Sequence, residues 1–152
     1  MIITFVGHAT ISFKDKVKEA VKEQILAETS HVKHFTCYIG GYGDFDETCA
    51  LACRELKMIT DRFDVVYVTP YISLSEQEKI NEMQACGLCD TSVYPPLESV
   101  PPRFAISKRN EWMVTNADLI VAYVSRSYGG AYKTLQMARR RKKRIINIWK
   151  FL

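Results

Sequence analysis

Residues 119–130 read LIVAYVSRSYGG, an apolar run followed by a short polar turn that ends on two glycines. Apolar residues at nearly every position of 119–124 are typical of a parallel strand covered by helices on both faces, because a strand with one solvated face alternates apolar and polar residues. Gly129 and Gly130 then open an amphipathic stretch that predicts a helix. This strand–turn–helix unit indicates an α/β protein with a parallel sheet.

The same pattern recurs along the rest of the chain. We expect strands at 2–6, 35–39, 65–69, 91–94, 119–124 and 144–148, and helices at 14–28, 46–62, 75–86, 107–116 and 131–141. Ser75, with Glu78 three residues later, has the capping-box pattern of a helix start. The alternation implies right-handed crossovers. The sequence therefore predicts a single Rossmann-like three-layer α/β/α domain over residues 1–152, with a mainly parallel sheet of about six strands.

Composition narrows the class of protein. The 152 residues carry 21 Lys and Arg against 17 Asp and Glu, a net charge of +4. No apolar run approaches the roughly 20 residues that cross a bilayer, and the first residues have the pattern of a buried strand rather than a signal peptide. The five cysteines are odd in number and irregularly spaced, which is typical of a reducing compartment. We therefore expect a cytoplasmic protein without membrane contact.

The cysteines allow one alternative to core packing. Cys86 and Cys89 have the spacing of half a zinc knuckle, and Cys49 and Cys53 share one helix face. The two pairs fall on different predicted helices, and cysteine is among the most often buried residue types. We expect packing, with no metal site and no cofactor.

The turns after the strands are where an open α/β sheet binds its ligand. Two of these turns, at 40–46 and 125–130, contain Gly-Gly and each opens a helix. Glycine lets backbone N–H groups approach an anion, and a helix amino end adds unpaired donors and a positive dipole end. Two such turns at one edge predict a phosphate or nucleotide site, although tight strand-to-helix geometry alone also selects glycine. Neither turn matches the dinucleotide or Walker patterns, which disfavours NAD enzymes and P-loop NTPases.

Residues 108–124, KRNEWMVTNADLIVAYV, followed by Gly129 and Gly130, resemble the SLOG superfamily. That group includes the LOG phosphoribohydrolases and the DNA-processing protein A fold, and its members carry a helix arginine, an Ala-Asp-hydrophobic strand and a Gly-Gly turn. The segments FVGH at 5–8 and GGYG at 40–43 also look like small SLOG proteins. The resemblance implies a Rossmann-like fold, a nucleotide-type ligand and a homodimer or higher homo-oligomer.

The chain departs from the motif of the LOG enzymes at three positions, Tyr132, Lys133 and Gln136. Their motif, Gly-Gly-x-Gly-Thr-x-x-Glu, ends on a glutamate that works with the helix arginine in cleaving an N-glycosidic bond. Here Arg109 is kept, but Gln136 stands at the glutamate position. An amide cannot take a proton or stabilise an oxocarbenium ion as a carboxylate does. This difference favours binding without turnover.

A hydrolase remains the alternative. It would be an N-glycosidase acting on a nucleoside monophosphate or an NAD-derived substrate, with Arg109 and a carboxylate from Glu47 or Asp44 as catalytic candidates. The acidic cluster of Asp44, Asp46 and Glu47 is open to three interpretations: Asp46 caps its helix, or a carboxylate of the cluster accepts from ribose hydroxyls, or one acts as a base.

We expect the phosphate on the Gly129-Gly130 turn with Arg109, and the ribose and base against Gly7-His8 and residues 40–44. The expected ligand contacts are Gly7, His8, Gly40, Gly41, Tyr42, Gly43, Asp44, Tyr71, Arg109, Asn110, Ser125, Gly129, Gly130 and Thr134. The alternatives that involve no ligand are a structural role for His8, a solvated position for Arg109, and packing for the tyrosines that follow the strands.

The run RRRKKR at 139–144 holds much of the basic charge. It matches a helix end whose cations complement the macrodipole, or else a surface for nucleic acid. Aromatic residues are not interleaved with the run and the net charge is small, so nucleic acid is not an expected partner. The predicted function is binding of a nucleotide or nucleotide-derived signalling molecule, as a sensor, carrier or sequestering protein.

Overall fold

The computed structural model describes all 152 residues and contains one six-stranded sheet. Its elements are β1 (Ile2–Gly7), α1 (Lys14–Glu28), β2 (Phe35–Ile39), α2 (Asp44–Leu56), β3 (Phe63–Val68), α3 (Leu74–Ala85), β4 (Thr91–Val93), α4 (Ala105–Asn116), β5 (Leu119–Tyr123), α5 (Gly130–Arg140) and β6 (Arg144–Asn147), with short 3₁₀ helices at Pro102–Phe104 and Ile148–Phe151. The strand order is β4-β3-β2-β1-β5-β6, and every pair is parallel. The predicted α/β Rossmann-like class is confirmed.

Two separate cores show that helices cover both faces of the sheet. The larger core contains 25 buried residues and joins α1, α2 and α3 to one face, where the rings of Phe35 and Phe63 stack 4.8 Å apart. Four of the five cysteines are buried, and all five are free thiols. The smaller core of eight residues joins α4 and α5 to the other face.

The strand order places a reversal at β1. Strands β2, β3 and β4 follow on one side of β1, and β5 and β6 follow on the other. Because the crossovers are right-handed, helices on the two sides of β1 pack on opposite faces and leave a crevice at its carboxyl end. This topological switch point is where ligands bind in open α/β sheets.

Four of the five helices begin one or two residues before the predicted start, and in α3 and α2 the difference changes the assigned cap. Helix α3 begins at Leu74, and its cap is Ser73, whose Oγ accepts from the Glu76 N–H at 3.1 Å. Ser75 therefore lies inside the first turn and forms no capping box with Glu78. Helix α2 begins at Asp44, after Gly43 at φ 92°, so the helix start does not use the Asp46 side chain as its cap.

Helix α2 also ends earlier than predicted. It stops at Leu56, whose carbonyl accepts from the N–H groups of both Ile59 and Thr60 in a tight turn. Strand β3 accordingly begins at Phe63, two residues before the predicted start, where it pairs with Phe35 of β2. None of the helices combines the length and the apolar composition that crossing a membrane requires.

Candidate functional site

A cavity of about 250 Å³ lies at the carboxyl end of β1, between α4 and α5. Side chains of α4 reach it from one helix face, at the spacing i, i+3, i+4, i+7 and i+8. The residues that line it are Thr4, Phe5, Val6, Gly7, His8, Ala9, Tyr42, Asp46, Ile106, Arg109, Asn110, Met113, Val114, Arg126, Gly130, Ala131 and Thr134. The predicted edge of the sheet therefore does contain a ligand-sized cavity.

The amino end of α5 forms one side of this cavity. The first N–H groups of the helix, at Gly130 and Ala131, have no backbone partner, because the first hydrogen bond of the ladder here is donated by Lys133 to the Gly129 carbonyl. Gly129 is at φ 93°, and a Cβ added at Gly129 or Gly130 would meet no atom within 4 Å. Arg126 of the same turn adds a cation to the cavity wall. This side of the cavity is built to accept an anion.

The other Gly-Gly turn is filled by the protein itself. A Cβ on Gly40 would lie 2.8 Å from Asp46 Oδ2, and one on Gly41 would lie 2.6 Å from the Tyr67 ring. Close internal packing therefore explains these glycines, and neither they nor Gly43 line the cavity. Of the residues 40–43, only Tyr42 reaches it, which corrects the expectation that this turn cradles a ligand with its backbone.

Arg109 is 1% exposed and lies on the floor of the cavity. Its Nη1 donates to the carbonyl oxygens of Gly40 at 2.8 Å and Val68 at 2.6 Å, and its Nε donates to Asn110 Oδ1 at 3.0 Å. Burial lowers the pKa of this guanidinium, but arginine stays charged. The side chain thus joins the ends of β2 and β3, and its Nη2 has no partner within the protein. The alternative of a solvated helix residue is wrong.

Asp46 enters the cavity from the first turn of α2. Its Oδ2 accepts from the Tyr42 N–H at 3.0 Å, while Oδ1 has no partner. Burial raises the pKa of this carboxyl to about 6, against the opposing effects of the Tyr42 N–H and the Arg109 charge. Asp46 and Arg109 nevertheless form no ion pair. The cavity therefore contains a carboxylate that titrates close to neutral pH.

The carboxylates that the sequence offered as catalytic candidates lie elsewhere. Asp44 accepts from the Ile11 N–H at 3.1 Å and pairs with Lys14 at 3.5 Å, outside the cavity. Glu47 is exposed on α2. Of the three acidic residues in the first turn of α2, only Asp46 lines the cavity.

A buried hydroxyl network holds Tyr42 in place. The hydroxyls of Tyr42 and Tyr67 each donate to Glu76 at 3.0 Å, and Thr69 donates to the same carboxylate. Burial by itself raises the pKa of Glu76, but these hydroxyl hydrogen bonds together bring it below its usual value. Lys79 lies 3.8 Å from the centre of the Tyr42 ring and donates to the Gly41 carbonyl. No sequence signal pointed to this network, because its members come from three separate elements.

His8 serves both the fold and the cavity wall. It is buried, and its Nε2 accepts from the Ser125 N–H at 2.9 Å, which ties the ends of β1 and β5 together. Burial and the Arg126 charge lower the pKa of the imidazole, so the ring is neutral near pH 7. A neutral ring that accepts at Nε2 carries its proton on Nδ1.

The predicted contacts thus divide into two groups. Those that line the cavity are Gly7, His8, Tyr42, Arg109, Asn110, Gly130 and Thr134; those that do not are Gly40, Gly41, Gly43, Asp44, Tyr71, Ser125 and Gly129. Gln136 also points elsewhere, since its amide donates to the Tyr132 hydroxyl. The expected contacts did not include Asp46, Arg126 or the apolar residues of α4. The helical spacing of Ile106, Arg109 and Met113 was the available signal for α4.

Comparison with known proteins bears on the fold. No family model and no curated protein matches the sequence. The structure is similar to DNA processing protein A from Streptococcus pneumoniae (TM-score 0.64, 13% identity, 94% of this chain and 48% of that chain) and to the same protein from Helicobacter pylori, described for its single-stranded DNA binding mode (0.62, 13%, 95% and 63%). The Moco carrier protein of Chlamydomonas rheinhardtii is similar over 97% of this chain and 75% of its own (0.52, 14%).

The chain spans less than two thirds of the length of either DNA processing protein. At 13–14% identity, these likenesses speak for the fold and leave the activity open. The Rossmann-like fold that the sequence resemblance implied is thereby confirmed.

Proposed function

We propose that the cavity binds a small phosphate-bearing molecule, a nucleotide or nucleotide derivative, and that the protein acts as a sensor, carrier or sequestering protein. The observation that carries this proposal is the unfilled Gly129-Gly130 turn: Gly130 and Ala131, whose N–H groups are unpaired, line one cavity together with Arg126. Backbone donors at a helix start together with an arginine are a strong phosphate-binding combination, because both the dipole and the charge favour an anion.

The size of the cavity narrows the ligand. Drug-sized ligands occupy pockets of roughly 300–1,000 Å³, and this cavity of about 250 Å³ lies just below that range. A nucleoside monophosphate or a cyclic mononucleotide fits this size better than a dinucleotide or ADP-ribose. Apolar side chains of α4, at Ile106, Met113 and Val114, offer a wall for a base.

Isothermal calorimetry with nucleoside monophosphates, cyclic mononucleotides, ADP-ribose and NAD tests the proposal. We expect a mononucleotide to bind, and Arg126→Gln to weaken that binding about 10-fold, since a hydrogen bond to a charged group is lost. Arg140→Gln is the matched control, because Arg140 is exposed at the far end of α5. Absence of binding by all of these compounds would contradict the proposal.

One observation favours N-glycosidic hydrolysis as a second candidate. Asp46 supplies, from α2, a carboxylate in the same cavity as Arg109, whereas Gln136 cannot. Incubation with AMP, CMP and NAD, followed by chromatography for released base, tests this candidate. Base release that is lost in Asp46→Asn would establish the hydrolase, and no release from any substrate would eliminate it for these compounds.

We make two further proposals, each on a single ground. Self-association follows from the resemblance alone, and sedimentation velocity of the purified chain tests it. A cytoplasmic location is supported by the five free thiols.

A further inference from the structure

Arg109 and Asp46 approach one another beneath Gly40 without joining. A Cβ on Gly40 would lie 2.8 Å from Asp46 Oδ2 and 3.2 Å from Arg109 Nη2, so both groups border the same small space. Each group has one polar atom, Nη2 of Arg109 and Oδ1 of Asp46, without a hydrogen-bond partner. Neither atom is fully buried, because no fully buried side-chain atom in the structure lacks a partner. Both residues line the cavity, which therefore has an unpaired donor and an unpaired acceptor among its lining groups.

The chemistry of this pair selects what binds to it. A phosphate placed on Arg109 would meet the carboxylate of Asp46, and an ammonium placed on Asp46 would meet the guanidinium, so each full charge is opposed by one member of the pair. A hydroxyl accepts from Nη2 and donates to the carboxylate at the same time. A neutral group with both functions is the complement of the pair.

We infer that the Arg109–Asp46 pair binds a hydroxyl of the ligand, so that the ligand is a phosphate ester of a hydroxyl-bearing sugar, a ribonucleotide in preference to its 2′,3′-dideoxy form. This inference rests on the function proposed above and deepens it. The phosphate lies on α5 with Arg126, and the sugar hydroxyl lies across the cavity on the pair. The expected placement of the phosphate on Arg109 is revised accordingly.

The pair is held rigidly before any ligand arrives. Two strand-end carbonyls, of Gly40 and Val68, fix the Arg109 guanidinium, and the Tyr42 N–H fixes the Asp46 carboxylate. Tyr42 is fixed in turn through Glu76. Groups that need no reordering on binding discriminate strongly between ligands that satisfy them and ligands that do not.

Calorimetry at pH 8 with paired ligands tests the inference. Each nucleoside 5′-monophosphate is compared with its 2′,3′-dideoxy counterpart, in the wild type and in Asp46→Asn. We expect the dideoxy compounds to bind about 10- to 100-fold more weakly to the wild type. In Asp46→Asn we expect the ratio of ribo to dideoxy affinity to fall to about 3-fold or less. The amide can present an NH₂ donor where the carboxylate oxygen accepted the hydroxyl proton.

Asp61→Asn is the control variant. It makes the same chemical change at an exposed position and should keep the wild-type ratio of ribo to dideoxy affinity. Equal binding of ribo and dideoxy compounds by the wild type, or an unchanged ratio in Asp46→Asn with a normal melting temperature, overturns the inference while leaving the proposed function intact. Failure of every nucleotide to bind overturns both.

Discussion

At the scale of single residues, Arg109 carries the most weight in both fold and site. A buried arginine without an ion-paired carboxylate is uncommon, and here backbone carbonyls at two strand ends take the place of the carboxylate. The sequence pointed to this residue through a family resemblance. Its structural function became visible only when β2, β3 and α4 came together.

Replacing Arg109 by lysine tests that structural function. An ammonium lacks the fork of donors, so we expect the free energy of unfolding to fall by about 2–4 kcal/mol. Urea unfolding followed by circular dichroism measures it. Arg140→Lys on the exposed end of α5 is the control and should change stability by no more than about 0.5 kcal/mol. Equal stability of Arg109→Lys and wild type would show that the strand-end contacts are unimportant.

Asp46 makes stability depend on pH in an unusual direction. Its pKa is about 6 in the folded protein against an ordinary value of 3.8, so the folded state binds the proton more tightly. Ionised Asp46 therefore costs stability above about pH 6, and the cost disappears below about pH 4. We expect Asp46→Asn to be more stable than wild type by up to about 3 kcal/mol at pH 8, and equally stable near pH 3.5. Thermal and urea unfolding at the two pH values measure this, and the same difference at both would contradict it.

At the scale of elements, the two Gly-Gly turns look alike in sequence and serve opposite purposes. The turn before α2 packs against Asp46 and Tyr67, whereas a Cβ added to either glycine of the turn before α5 would have no atom within 4 Å. This difference depends on which side chains the neighbouring elements place next to each turn. Helix α4 completes the arrangement, because one of its faces forms the wall opposite α5.

Alanine substitutions in the turn before α5 distinguish the effect of backbone conformation from that of steric space. Gly129 has φ 93° and ψ 178°, a region that side chains rarely adopt, so Gly129→Ala should cost about 1–3 kcal/mol. Gly130 lies within the helix at a negative φ, so Gly130→Ala should be neutral or stabilise by up to about 1 kcal/mol. Chemical denaturation of both variants checks this. Equal losses would mean that the turn has some other conformation in solution.

At the scale of the whole molecule, the basic run 139–144 lies at the edge opposite the cavity. Arg144 opens β6 at the amino ends of the parallel strands. Arg141 pairs with Glu111 at 2.9 Å, Arg144 pairs with Glu28 at 2.8 Å, and Lys143 donates to the carbonyls of Thr115 and Ala117. Much of this charge is therefore paired within the protein, with α4 and with the end of α1.

We expect the double variant Arg140→Gln with Lys142→Gln to keep the nucleotide affinity of the wild type, because neither residue lines the cavity. We also expect no steeply salt-dependent binding of single-stranded DNA by the wild type. Calorimetry and gel shift at low and moderate salt measure the two quantities. DNA binding that weakens sharply with salt and is lost in the double variant would assign this edge to nucleic acid.

The sequence by itself determined the fold class and the edge of the sheet at which the cavity lies. Continuous apolar runs require burial on both faces, which only a helix-covered parallel sheet supplies, and the carboxyl ends of its strands then form one edge. The start of α1 at Lys14 and the limits of β2 at Phe35 and Ile39 were predicted without error.

The tertiary structure alone decided which residues of that edge face the cavity. In the first turn of α2, Asp46 lines the cavity whereas Asp44 and Glu47 do not, because successive side chains of a helix point in different directions and packing decides which of them faces inward. The turn before α2 is filled by Tyr67, Asp46 and Arg109, which lie far apart in the chain, whereas no side chain fills the turn before α5. Such contacts arise from strand order and packing, and no local pattern records them.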